Sequence, residues 1–183
     1  MGKIYLTSDL HFCHDKEFIY GPRGFKNIGN MNKAIVENWN SIVTEDDDVY
    51  VLGDLMLNNN EEGIKLIKSL HGRIHIITGN HDTNNRVAYY ESAFNVVMLY
   101  PYATELKYKK YKFYLSHYPT MTSNYDDKDL YGVINLCGHV HTQNRFLDMD
   151  KGLIYHCELD AHDMKPILID DIIEDIKKYY KEK

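Results

Sequence analysis

Hydrophobic residues occur along this chain in short runs, and several of the runs close on a polar cluster. Residues 3–8 are β-rich and end in Asp9-Leu10-His11, which predicts a buried first strand with polar groups at its C-terminal end. Residues 12–29 show no period and carry Gly21-Pro22, Gly24 and Gly29, so a long loop is expected there. Met31, Ala34, Ile35, Asn38, Trp39 and Ile42 fall at helical spacing and predict an amphipathic helix. An acidic turn at 44–48 leads to a second buried strand, 49–52, ending at Gly53-Asp54. Residues 61–70 predict a helix with Ile64, Ile67 and Leu70 inward, stopped near Gly72. The β-branched run 73–78 predicts a third strand, followed by Gly79-Asn80-His81-Asp82 and a helix over 84–94.

The second half changes character. Strands are predicted at 96–99, 104–108 and 112–116, with Lys109-Lys110 as a hairpin turn. Residues 119–132 are a polar loop. Strands follow at 133–137, ending in Gly138-His139-Val140-His141, and at 153–157 and 166–169. A terminal helix, 170–180, has Asp170 as its expected cap. Alternating strands and helices that give way to mostly strands predict an α/β (α+β) sandwich, with sheets inside and helices outside, in one domain over residues 1–183.

Composition narrows the function. A formal net charge of −6 argues against a general nucleic-acid or membrane-surface binder, whose affinity would rest on a basic field. The run from Lys107 to Lys112 reads as a solvated hairpin rather than a nucleic-acid grip. Three cysteines without CxxC spacing suggest a reducing compartment. With no apolar leader and no apolar run near the roughly 20 residues that span a bilayer, a cytoplasmic location is expected.

The clusters at the predicted strand ends are all of metal-ligand type. In layered α/β folds strand C-termini converge on one edge, where sites form. Asp9 and His11 are two apart, as are His139 and His141, so each pair shares a face on extended backbone. Asp54 follows a glycine that leaves room for close approach, and its two oxygens can bridge two cations. Asn80 offers a neutral oxygen, and its neighbour His81 should point elsewhere. Asp9, His11, Asp54, Asn80, His117, His139 and His141 then suit two metal ions better than one. Two divalent cations against two carboxylates leave the site at about plus two, attractive to a phosphate ester and able to lower the pKa of bound water toward about 7. A nitrogen and oxygen donor set without thiolate suits Mn, Fe, Co, Ni or Zn; Mn is the expected metal for activity in vitro.

The order Asp-x-His, Gly-Asp, Gly-Asn-His-Asp, His, Gly-His-x-His resembles the calcineurin-like metallophosphoesterase superfamily, over residues 9–141. The resemblance implies a two-sheet sandwich flanked by helices with a dinuclear centre at one edge. It implies one metal on Asp9, His11 and His141, another on Asn80, His117 and His139, and Asp54 as the bridge. It also implies that His81 protonates the leaving group and that Asp82 orients His81. The chain is short, like the small cap-less prokaryotic and phage-borne members.

The expected reaction is hydrolysis of a small phosphodiester or nucleotide, with a metal-bridging hydroxide attacking phosphorus. Phosphomonoesterase and nuclease are alternatives in the same class. A protein-interaction scaffold on a degenerate site is the alternative outside it; the intact His81 and ligand positions speak against it. His14 and Arg23, in the loop 12–29, are candidate substrate contacts, and Asp160 and His162 are candidates for orienting ligand imidazoles. His71, His75 and His156 read as structural, and Cys13 and Cys137 should face away from the site. Oligomeric state is not legible in the sequence.

Overall fold

The computed structural model describes residues 2–122, 132–149 and 152–181. Among these residues, ten strands form two five-stranded sheets. The first holds β1 (Ile4–Thr7), β2 (Asp48–Val51), β3 (Arg73–Ile77), β4 (Val96–Tyr100) and the short β10 (Ile167–Leu168), in the order β10-β1-β2-β3-β4. The second holds β5 (Ala103–Tyr108), β6 (Tyr111–Ser116), β7 (Val133–Cys137), β8 (Phe146–Met149) and β9 (Gly152–His156), in the order β5-β6-β7-β9-β8. The strands β1 to β4 run parallel, as do β6, β7 and β9, so within each sheet these C-terminal ends lie on one edge.

Alternation along the strands sorts the core into two layers. Tyr5, Val49, Val51, Ile74 and Ile76 point to an outer cluster shared with Met31, Ile35 and Trp39 of α2 (Ile28–Asn40) and with Ile64 and Ile67 of α3 (Asn60–Lys68). Leu6, Leu52 and Ile77 point the other way, into a cluster shared with Phe113, Leu115, Ile134, Leu136 and Tyr155 of the second sheet. The helix α5 (Ile169–Lys181) closes that cluster with Ile172, Ile173 and Ile176. The two sheets flanked by helices are the sandwich that the pattern predicts.

The helices form where capping and amphipathicity agree. Asn27 caps α2 by accepting from the Asn30 N–H at 2.9 Å, and Asn59 caps α3 by accepting from the Glu62 N–H at 3.1 Å. Glu61 and Glu62 in the first turn of α3 and Lys65 and Lys68 in its last turn complement the helix dipole.

Several boundaries differ from expectation. The loop after β1 contains a short helix, α1 (Glu17–Tyr20), and α2 begins inside the predicted loop because Asn27 supplies its cap. The helix after β3, α4 (Asn84–Glu91), ends before Phe94. The strand β8 has no clear sequence pattern and is defined by its antiparallel pairing with β9. Asp170 lies within the first turn of α5 and does not cap it; its carboxylate accepts from the Tyr108 hydroxyl at 3.1 Å and from Lys109. Most of the polar loop predicted at 119–132 lies outside the described residues. No helix among the described residues is long and apolar enough to cross a membrane.

Candidate metal centre

Each candidate ligand follows a strand end: Asp9 and His11 follow β1, Asp54 follows β2, Asn80 follows β3, His117 follows β6, and His139 and His141 follow β7. The backbone that delivers them is not extended. Asp9, His11, Asp54, His139 and His141 all have positive φ, at 58°, 50°, 57°, 79° and 53°. The two-residue pairs therefore share a direction through left-handed turns, which corrects the extended-backbone expectation. Such conformations are unfavourable for non-glycine residues and persist where surrounding structure holds them.

Close approach of the turns explains two glycines. Gly53 has φ 94°, and a Cβ there would lie 2.5 Å from His117 Nδ1 and 2.8 Å from the Gly79 Cα. A Cβ on Gly138 would collide with Ser8 Oγ and lie 2.5 Å from Asp9 Oδ2.

The two carboxylates are each divided between protein and site. Asp9 is fully buried; its Oδ2 accepts from the His139 N–H at 2.8 Å and from the Ser8 hydroxyl. Its Oδ1 has no hydrogen-bond partner and lies 3.6 Å from both His11 Nε2 and His141 Nε2. Asp54 Oδ1 accepts from the His81 N–H at 2.9 Å, while Oδ2 lies 3.9 Å from His11 Nε2 and 3.5 Å from His117 Nε2. Asp54 thus anchors one oxygen on the backbone and turns Oδ2 toward the two imidazoles.

Ligand atoms converge in two groups, Asp9 with His11 and His141, and Asp9 with Asp54 and His117. Asn80 Oδ1 and His139 Nδ1 approach His117 Nε2 at 2.8 and 3.1 Å. Asp9 therefore reaches both groups, where the resemblance gave it to one.

This donor set fits cations on two observations. His11 Nε2 and Asp9 Oδ1 are buried and have no hydrogen-bond partner, which is costly unless something else meets them. His117 Nδ1 faces the Leu52 carbonyl oxygen at 2.8 Å, and that oxygen can only accept. The proton of the neutral ring stands on Nδ1, so Nε2 turns a lone pair toward the lone pairs of Asn80 and Asp54, the arrangement a cation would join.

Burial and mutual charge shape the titration of the protein without metal. Burial pushes Asp54 up, and the Asp9 and Asp82 carboxylates add to that while His117 opposes it. Burial also opposes ionisation of Asp9, but the nearby His11, His141 and His117 imidazoles outweigh it and hold Asp9 at about 2. Burial lowers His11 to about 4, although the Asp9 carboxylate beside it favours the charged ring.

His81 projects into the site. Its side chain is 42% exposed, with Nε2 3.9 Å from Asp54 Oδ2 and its ring centroid 5.7 Å from that of His11. Asp82 does not orient this ring. Its Oδ2 accepts from the Asp54 and Gly79 N–H groups, both at 2.8 Å, and its Oδ1 accepts from the Tyr90 hydroxyl at 2.7 Å. The orienting role implied for Asp82 is corrected: the backbone of His81 is held, through Asp54 Oδ1 and through Arg86, which donates to the His81 carbonyl.

Arg23 is corrected as a substrate contact. Its side chain is 1% exposed, and Nε and Nη2 donate to the Asp160 carboxylate at 3.0 and 2.7 Å. Nη2 also donates to the Asp9 carbonyl at 2.8 Å. Asp160 Oδ2 lies 3.3 Å from His141 Nδ1, so this pair braces a candidate ligand from behind. His162 braces no ligand: its Nε2 donates to the His156 carbonyl at 2.8 Å. His14 stays at the pocket, with its Nδ1 3.0 Å from His11 Nδ1. Cys13 and Cys137 are buried, and Cys137 lies near His156.

Sequence reasoning missed Ser8, Tyr90 and Glu158. Glu158 is buried, accepts from the Val140 N–H at 3.2 Å, and so steadies the turn between His139 and His141. Nothing in the local pattern marks Tyr90 or Glu158; Ser8 is adjacent to Asp9 and could have been suspected. Phe18 was also missed. It is 69% exposed and forms the apolar rim of an open pocket of about 570 Å³ that also includes His11, Asp54, Asn80, His81 and His139.

The calcineurin-like phosphoesterase superfamily domain matches residues 3–156. An uncharacterised protein of Methanocaldococcus jannaschii, MJ1445, is 33% identical over 186 residues, covering 97% of this chain and 93% of its own. Among solved structures, a protein of unknown function from Aquifex aeolicus, AQ665, superposes with TM-score 0.71 at 22% identity, over 95% of this chain and 99% of its own. An archaeal phosphodiesterase superposes with TM-score 0.50 at 18% identity, over 87% and 86%. The chain belongs to the calcineurin-like phosphoesterase superfamily and is a metal-dependent phosphoesterase.

Proposed function

We propose that this phosphoesterase hydrolyses small phosphodiesters, with His81 donating a proton to the leaving oxygen. Asp9, His11, Asp54 and His141 would hold one divalent cation and Asp54, Asn80, His117 and His139 a second, with Mn²⁺ the first choice for activity. Such cations supply a water of lowered pKa and offset charge on the phosphoryl oxygens.

The residues of the chain do the rest. Asp9 and Asp54 each keep one oxygen on a backbone N–H and turn the other to the site, so the donors are preorganised before substrate arrives. His81 lies on the open side of that centre, where an ester oxygen can leave.

The preference for a diester rests on one observation. Among the described residues lining the pocket there is no lysine or arginine, and the nearby Arg23 is neutralised by Asp160. A monoester dianion would find no cationic side chain for its extra charge, whereas a diester monoanion needs none. The acidic total, −6, also disfavours a polyanionic nucleic-acid substrate.

The test is turnover by metal-free protein titrated with Mn²⁺, Zn²⁺, Co²⁺, Ni²⁺ or Fe²⁺, on bis-p-nitrophenyl phosphate and p-nitrophenyl phosphate. Metal-dependent hydrolysis favouring the diester is expected. Metal binding without turnover on any phosphate ester would contradict the proposal, and a monoester preference would contradict its substrate class.

A further inference from the structure

The imidazoles of the site are braced in different ways. His117 Nδ1 faces the Leu52 carbonyl, and His141 Nδ1 lies 3.3 Å from both the Asp160 carboxylate and Arg23 Nη2. His11 is braced by another imidazole. Its Nδ1 lies 3.0 Å from His14 Nδ1. The ring centroids are 5.1 Å apart and the rings are inclined by 28°. With the nitrogens so much closer than the centroids, the rings meet edge to edge, the geometry of a direct N–H···N bond.

We infer that His14 is a positioning residue that fixes the tautomer of His11 and, through the same proton arrangement, presents an N–H to the substrate. His11 is buried, and its Nε2 lacks a hydrogen-bond partner while lying 3.6 Å from Asp9 Oδ1 and 3.9 Å from Asp54 Oδ2. A ring nitrogen binds a cation through its lone pair, so Nε2 carries no proton and Nδ1 does. That Nδ1–H donates, and His14 Nδ1 must accept. The one proton of the neutral His14 ring then stands on Nε2, the nitrogen on its other side.

The His14 ring lines the pocket with His11 and His81, its centroid 6.1 Å from that of His81. It is held edge-on by Phe18, with centroids 5.7 Å apart and planes at 88°. A carbonyl or carboxylate in its place would brace His11 equally well but offer no donor to the pocket. The imidazole turns the brace into a neutral N–H for a non-bridging phosphoryl oxygen, in a pocket whose described lining holds no lysine or arginine. This last step rests on the phosphodiester reading; the tautomer does not.

Two substitutions separate the roles. In His14→Asn the amide oxygen takes the place of Nδ1 and nothing replaces Nε2; His14→Ala removes both. Calorimetric titration of metal-free protein with Mn²⁺ should show affinity for one ion falling about tenfold or more in His14→Ala, and retained in His14→Asn. KM for bis-p-nitrophenyl phosphate at saturating Mn²⁺ should rise several-fold in both. Nitrogen-15 spectra of the Zn²⁺-loaded wild type should show His11 protonated at Nδ1 and His14 at Nε2, and this arm stands even if a variant fails to fold.

Wild-type Mn²⁺ affinity in His14→Ala, or equal loss in both variants, would overturn the brace. An unchanged KM in His14→Asn would overturn the donor role. A His14 ring protonated at Nδ1 would overturn both. Should the wild type bind Mn²⁺ and hydrolyse no phosphate ester, the proposed function fails, while the titration and the spectra still decide the tautomer.

Discussion

The backbone N–H of His81 donates to Asp54 Oδ1 at 2.9 Å. One bond thus ties the turn bearing the proposed proton donor to the carboxylate proposed to bridge the cations, whose Oδ2 lies 3.9 Å from His11 Nε2 and 3.5 Å from His117 Nε2. Asp54→Asn can keep that bond only by turning its NH₂ toward the site, where it repels a cation. Metal analysis should find both ions lost and turnover down by about 100-fold or more. Two tightly bound ions in the variant would contradict the bridging assignment.

The Asp82 carboxylate, by contrast, is scaffolding for the turns. It joins the Asp54 and Gly79 N–H groups to the Tyr90 hydroxyl. Tyr90→Phe should cost about 1 kcal/mol and Asp82→Asn about 1–3 kcal/mol in urea unfolding. Both variants should retain the wild-type response to leaving-group quality. A selective loss with poor leaving groups in Asp82→Asn would restore a role for it in proton transfer.

Asp160 braces His141 and neutralises a buried guanidinium. Asp160→Asn leaves Arg23 short of its counter-charge, at a cost of about 3–5 kcal/mol. It should also weaken one metal site about 10- to 100-fold. A thermal melt and a metal titration check the two effects, and unchanged metal affinity would remove the bracing role.

Burial lowers the His162 pKa to about 4, against the opposing hydrogen bond to the His156 carbonyl. The folded value lies below the unfolded one, so the protein keeps this stability above about pH 6.5 and loses it as pH falls toward 4. The loss approaches about 3 kcal/mol. In His162→Gln the drop in melting temperature between pH 6.5 and 4 should be smaller than in wild type; parallel curves would contradict the assignment.

The positions of the candidate ligands are legible because the hydrophobic runs of β1, β2, β3, β6 and β7 mark where strands end, and parallel strands bring those ends to one edge. What holds the ligands was not. Arg23 and Asp160 are 137 residues apart, and no local pattern joins them. An arginine beside Gly21-Pro22 reads as solvated until the fold buries it. Asp82 sits next to His81 in sequence, yet its partner is a tyrosine on the following helix. The left-handed turns at Asp9 and His139 are set by their neighbours' packing, since neither residue is a glycine. The strand β8 exists through its register with β9 rather than through its own alternation.

The central claim is that His81 gives the leaving oxygen its proton on a site it does not itself assemble. It is tested most directly by the hydrolysis rates of aryl phosphodiesters of graded leaving-group pKa, for wild type and His81→Ala, each with its metal content measured. The account predicts equal metal content and a rate gap that widens as the leaving group becomes poorer, reaching about 10²–10⁴-fold. A loss of the same size for good and poor leaving groups, or a loss explained by missing metal, would contradict it.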